Sequence, residues 1–230
     1  MQKILAVLAL MTLGACVTPM PVAQPEISVP APQINSFAAV VDRVEPVAES
    51  YCRYLNIANR CVFRIAIDDR PKLPANAYQT TDDNGRPVIA FTAALLKQAR
   101  NADELAFIMG HEAAHHILGH LSQQERTAIS GALLAGVMAK SAGADAEEIR
   151  KAQQAGAQIA ARAFSKDFEL EADAMGAEIA LRAGYDPIRG AAYFDRLPDP
   201  GDRFLASHPG NSQRKALVIA TVERLRAGGS

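Results

Sequence analysis

The spacing of apolar residues changes period several times along the chain, and each change marks an element. From Ser36, SFAAVVDRVEPVAESYCRYL has apolar residues at helical intervals, predicting a helix in which Pro46 marks a kink or a new first turn. CVFRIAI then alternates as a strand does. ANAYQT and PVIAFT read as two more strands, joined by the turn-rich TDDNGR. Beyond them the pattern is helical. Asn101 with Glu104 three residues later is a capping-box signal for a helix through the histidine-rich stretch that follows. Asp145 with Glu148 signals another helix, running toward Ala163. Ser165 stands where it can cap a third through KDFELEADAMGAEIALRAG, closed by Gly184. DPIRGAAYFDRL and SQRKALVIATVERLRAG supply the last two. The expected fold class is α+β, mostly helical, with a small sheet of about three strands.

Two stretches fall outside that rhythm. SGALLAGVMAKSAGA is small, apolar and nearly uncharged, and too short to cross a bilayer. It is expected to pack in the core, with a lipid- or partner-contacting helix as the alternative. The N-terminal MQKILAVLALMTLGAC has a Lys, a short apolar run and then small residues, so residues 1–15 read as a secretory signal. Its ending, Leu13 to Cys16, resembles a bacterial lipobox, which implies cleavage before Cys16 and lipid on its sulfur. The Pro-rich residues 16–35 read as a tether, and residues 36–230 as the folded domain. An exported chain meets an oxidising compartment, where Cys52 and Cys61 can form a disulfide. Two buried free thiols are the alternative, and geometry decides between them.

Charge narrows the partners. Lys plus Arg is 24 and Asp plus Glu is 25, a net charge of −1, so nothing favours a nucleic-acid partner or a polybasic membrane contact.

Four of the five histidines lie in GHEAAHHILGH, residues 110 to 120. His111-Glu112-Ala113-Ala114-His115 is H-E-x-x-H. On a helix, His111 and His115 sit about 40° apart and one turn along, so both imidazoles can reach one ion. Glu112 lies about 100° further round, beside the ion, where it suits a base acting on water. His116 and His120 form a rival pair. The rival lacks a Glu directly after its first His, and Gly119 suggests that the helix frays there, so the two read as packing or supporting groups. A third ligand must come from Glu169 or Glu171, which point about 200° apart on a helix. Glu169 has Asp173 one turn on, placed to hold the far nitrogen of a ligand imidazole, whereas Glu171 has Met175 at that spacing.

H-E-x-x-H with a distant E-x-x-x-D resembles the zinc metallopeptidases that include the CAAX prenyl proteases, HtpX-like proteases, Oma-type proteases and periplasmic β-barrel assembly-enhancing proteases. The resemblance covers roughly residues 35–227. It implies a zincin-type domain with one Zn²⁺ per chain held by His111, His115 and Glu169, and with Asp173 as the supporting acid. SHPGNSQRKA resembles the family's S-x-H-P segment followed by an Arg, which maps to His208, Pro209 and Arg214. Asn76-Ala77 matches the N-A that opens the strand beside the active site and implies a substrate edge there. His208 is expected at the mouth of the site, as an oxyanion donor or a removable fourth ligand.

The expected function is a zinc-dependent endopeptidase. Glu112 serves as the base for the attacking water, and the substrates are misfolded or unassembled polypeptides of a Gram-negative envelope. The chain would be lipid-anchored, facing the periplasm, with the outer membrane favoured because Val17 rather than Asp follows Cys16. The alternative is a zinc-stabilised module that binds envelope proteins without cutting them.

Overall fold

The computed structural model describes residues 31–55, 60–163, 165–199 and 209–228. Cys16 and His208 lie outside the described residues, as does the signal segment. Helix α1 spans Ala31–Leu55, so it begins inside the stretch read as tether, and it runs through Pro46 without a break. Its apolar stripe, Phe37, Val40, Val44, Ala48 and Cys52, recurs every three or four residues and is buried.

Three strands follow: β1 Arg64–Asp68, β2 Ala77–Thr81 and β3 Pro87–Thr92. Their order is β1-β3-β2, with β1 parallel and β2 antiparallel to β3. Every residue of β3 is buried, which its unbroken apolar run requires of a central strand. Cys52 and Cys61 form a disulfide with Cα atoms 5.4 Å apart, tying the end of α1 to the approach to β1.

After the short α2 (Ala93–Gln98) comes α3 (Ala102–Ile117), the axis of the domain. Leu105, Met109, Ala113 and Ile117 repeat at four-residue spacing and join Phe63, Ile89, Phe91 and the α1 stripe in the main core. Phe107, on another face, enters a second core with Ala177, Phe194, Val218 and Val222. The helix is therefore buried on two sides. The remaining elements are α4 His120–Ser141, α5 Ala146–Ala163, α6 Ser165–Arg182, α7 Pro187–Gly190, a 3₁₀ turn Ala191–Arg196 and α8 Asn211–Ala227.

Two local expectations are corrected. Ser165 is the first residue of α6, and its hydroxyl donates to the Arg162 carbonyl at 2.9 Å instead of capping the helix. The SGALLAGVMAKSAGA stretch does not pack in the core. It forms most of α4, which pairs with α5 as a helical hairpin and turns Ile129, Leu133, Leu134, Val137 and Met138 outward. Its small residues (Gly131, Ala132, Ala135, Gly136) face inward at helical spacing, so pairing with α5 uses the small side and leaves the large side in solvent. No described helix is long and apolar enough to cross a membrane.

Candidate metal centre

The start of α3 is fixed first. Asn101 Oδ1 accepts from Glu104 N at 3.0 Å, and the Glu104 carboxylate pairs with Arg196 at 2.6 Å while accepting from Arg100 N. Asp103 accepts from Asp186 N at 2.9 Å and pairs with Arg189. Both acids are buried, so the helix that carries the histidines is clamped to the α7 and 3₁₀ segment at its N-terminus.

Next, α3 and α6 meet backbone to backbone. A Cβ on Gly110 would lie 2.6 Å from the Gly176 carbonyl oxygen, and a Cβ on Gly176 would lie 2.6 Å from His111 N. Two glycines permit this approach, and it brings the carboxylates of α6 against the histidines of α3.

His111 Nε2 and His115 Nε2 are 3.1 Å apart. Glu169 Oε2 lies 3.6 Å from His111 Nε2, and Oε1 lies 3.5 Å from His115 Nε2. A tetrahedral zinc with bonds of about 2.0–2.2 Å needs ligand atoms roughly 3.3–3.5 Å apart. The three edges bracket that value, and two imidazoles with one carboxylate suit zinc, so the residues fit the ion. Residues 36–221 match the family described as Peptidase family M48.

The chain belongs to peptidase family M48. It is 31% identical over 121 residues to a Vibrio cholerae protein described as a beta-barrel assembly-enhancing protease, covering 48% of this chain and 24% of that one. It is 26% identical over 135 residues to the mitochondrial metalloendopeptidase OMA1 of Arabidopsis thaliana, covering 57% and 27%. The chain thus matches about a quarter of the length of each of these relatives, and what it shares with them is the M48 metallopeptidase domain.

Around the M48 ligand cluster the supports are unequal. His111 Nδ1 lies 2.9 Å from Asp173 Oδ1, a close contact in which the ring N–H is not aligned on the oxygen. Asp173 is fully buried and is gripped by Arg214 of α8, Nε to Oδ2 at 2.6 Å and Nη2 to Oδ1 at 2.7 Å. Arg214 Nη2 also reaches Glu169 Oε2 at 3.3 Å, so one guanidinium spans both carboxylates. Asp173 and Arg214 thus lie against His111 and Glu169, on the side of α6 and α8.

Glu112 faces a cleft of about 500 Å³ that is also lined by Asn76, Ala77, Tyr78 and Tyr193. Burial pushes its carboxyl up, His111 and His115 pull it down, and the balance leaves it above the ordinary range. Asn76 precedes the edge strand β2. Its N–H donates to Thr92 Oγ1 at 3.0 Å and its carbonyl accepts from Thr92 N at 2.9 Å. Ala77 pairs with Phe91.

His116 is a packing group, as the spacing implied. Its Nε2 donates to the Arg60 carbonyl at 2.9 Å, and its ring meets Phe63 edge-on. His120 is more than that. Its Nδ1 lies 2.9 Å from His115 Nδ1, its Nε2 lies 3.2 Å from Glu171 Oε2, and its ring stacks on Phe168 at 4.5 Å. Burial holds its pKa below the ordinary histidine range. Glu171, which lacked a partner at Met175, finds one across the helix boundary. On an unbroken helix His115 and His120 would point about 140° apart. Gly119 in the left-handed region, φ 70°, breaks the helix and turns His120 back. The glycine between the two histidines signalled the break, and the structure adds the direction in which it turns His120.

Proposed function

We propose that the chain is a zinc-dependent endopeptidase acting on polypeptides of the cell envelope. The observation that carries this is the convergence of His111, His115 and Glu169 at tetrahedral spacing, with Glu112 beside them in a cleft bordered by a sheet edge. Zinc held there would acidify a water and polarise a peptide carbonyl. Glu112 takes the proton of the attacking water and passes it to the leaving amine. Asp173 and Arg214 orient His111 and Glu169. The substrate backbone adds a strand to β2 from Asn76 and Ala77 onward, which aligns a peptide bond over the site without reading its side chains. Such sequence-tolerant docking suits misfolded or unassembled substrates.

The lipobox resemblance at Cys16 supports anchoring by lipid on the periplasmic side, at the outer membrane. Fractionation tests it: Cys16→Ser should release the protein from the membrane, and unchanged membrane association would contradict the anchor. The resemblance around His208 supports a role for it as an oxyanion donor or a removable fourth ligand. The activity itself is tested on an unfolded protein substrate. Cleavage should stop with a zinc chelator and return on adding zinc, whereas zinc binding without cleavage would mark a binding module instead.

A further inference from the structure

We infer that His120 and Glu171 are positioning residues that hold His115 in its metal-binding tautomer through a relay of two hydrogen bonds. The inference rests on the zinc reading above, because it takes His115 Nε2 as the ligand atom. That nitrogen faces His111 Nε2 at 3.1 Å and Glu169 Oε1 at 3.5 Å.

The direction of every hydrogen bond then follows. A neutral imidazole that gives the Nε2 lone pair to a metal carries its proton on Nδ1. His115 Nδ1 therefore donates to His120 Nδ1 at 2.9 Å, which must present a lone pair. With Nδ1 accepting, the His120 proton sits on Nε2, where Glu171 Oε2 accepts it at 3.2 Å. No atom in the chain is asked to donate twice or to accept without a lone pair. Phe168, stacked on His120 with planes 15° apart, keeps the relaying ring in that orientation.

The sequence of α6 explains how one helix serves both ligands. Glu169 and Asp173 are four apart and face the cluster and His111. Phe168 and Glu171 are three apart, occupy a neighbouring face and meet His120. The two carboxylates of FELEAD thus have separate tasks. Glu169 binds, while Glu171 reaches the site through an intervening ring.

The test is zinc affinity by competition against a chromogenic chelator, with histidine tautomers read by ¹⁵N NMR of the zinc-loaded protein. His120→Phe keeps the stack on Phe168 and removes both polar atoms, so affinity should fall about 10–100-fold, the range for lost supports of metal-bound histidines. His120→Gln can accept through its amide oxygen and donate through its nitrogen, and should recover most of the loss. Glu171→Ala alters a side chain that is 58% exposed, so it should fold normally and still weaken zinc several-fold. In the wild type, His120 should carry its proton on Nε2. Wild-type affinity in both His120→Phe and Glu171→Ala would overturn the relay, as would a His120 proton on Nδ1. So would a Gln variant as weak as Phe, because bulk rather than polarity would then be at work. Failure of the wild type itself to bind zinc would overturn the metal reading beneath it.

Discussion

The two histidines of the candidate metal cluster are held by opposite means. Behind His111 stands a fully buried aspartate, neutralised by a guanidinium that is itself buried. Behind His115 stands a neutral imidazole, and the charge that completes its chain, Glu171, is largely in solvent. The first arrangement takes two charges out of water and is stable only while both are present. The second places its charge where water screens it, so that losing it costs the fold little. Metal affinity and fold stability should therefore be linked on the His111 side and separable on the His115 side.

The largest expected effect breaks the buried pair. Asp173→Asn leaves the Arg214 charge without its bidentate partner and should lower unfolding stability by about 3–5 kcal/mol, measured by denaturant titration of the metal-free protein. Gly176→Ala comes next. Its methyl group would press on His111 N, where backbone cannot yield cheaply, and should cost about 1–3 kcal/mol while also weakening zinc by pushing α6 off α3. Glu171→Gln sharpens the contrast, since stability should stay within about 0.5 kcal/mol of wild type while zinc affinity drops by a few-fold. The smallest effect belongs to the outward face of α4. Leu133→Gln, at a position 65% exposed, should change neither thermal stability nor zinc affinity measurably.

That outward face also marks what the pattern of residues could and could not convey. Capping signals located α3 and the helix carrying Glu169, and strand-like apolar runs bounded by turn residues located the three strands, because both kinds of signal are local. The pattern placed SGALLAGVMAKSAGA in the core because small apolar residues usually pack there. The stretch does pack, but along its small side only, and which side a partner helix takes is decided by α5. The candidate ligand cluster was legible in part for a similar local reason, since His111 and His115 share a helix face, whereas the choice of Glu169 over Glu171 leaned on the family resemblance. The tie between Asp173 and Arg214, 41 residues apart, came from resemblance to a family and not from spacing. In the sequence His120 reads only as a packing or supporting group and Glu171 only as the lesser ligand candidate, and the contact between them goes unread. Their contact depends on the left-handed turn at Gly119, and an argument from continuous helical angles points His120 away from the site.

The disulfide belongs with the features that only geometry decides. Nothing in the spacing of Cys52 and Cys61 distinguishes a bond from two thiols. The fold distinguishes them by carrying the end of α1 to the approach to β1, with the Cα atoms 5.4 Å apart.

The central claim is that this cluster binds zinc for hydrolysis, with Glu112 moving the proton. The most direct measurement compares purified Glu112→Gln with wild type for bound zinc and for cleavage of an unfolded protein substrate. The amide keeps the shape of the side chain but cannot take a proton, and Glu112 is not among the three ligand residues. Both proteins should hold one zinc per chain, with cleavage by the variant reduced by at least about 10²-fold. A variant that keeps zinc and cleaves at the wild-type rate would contradict the claim.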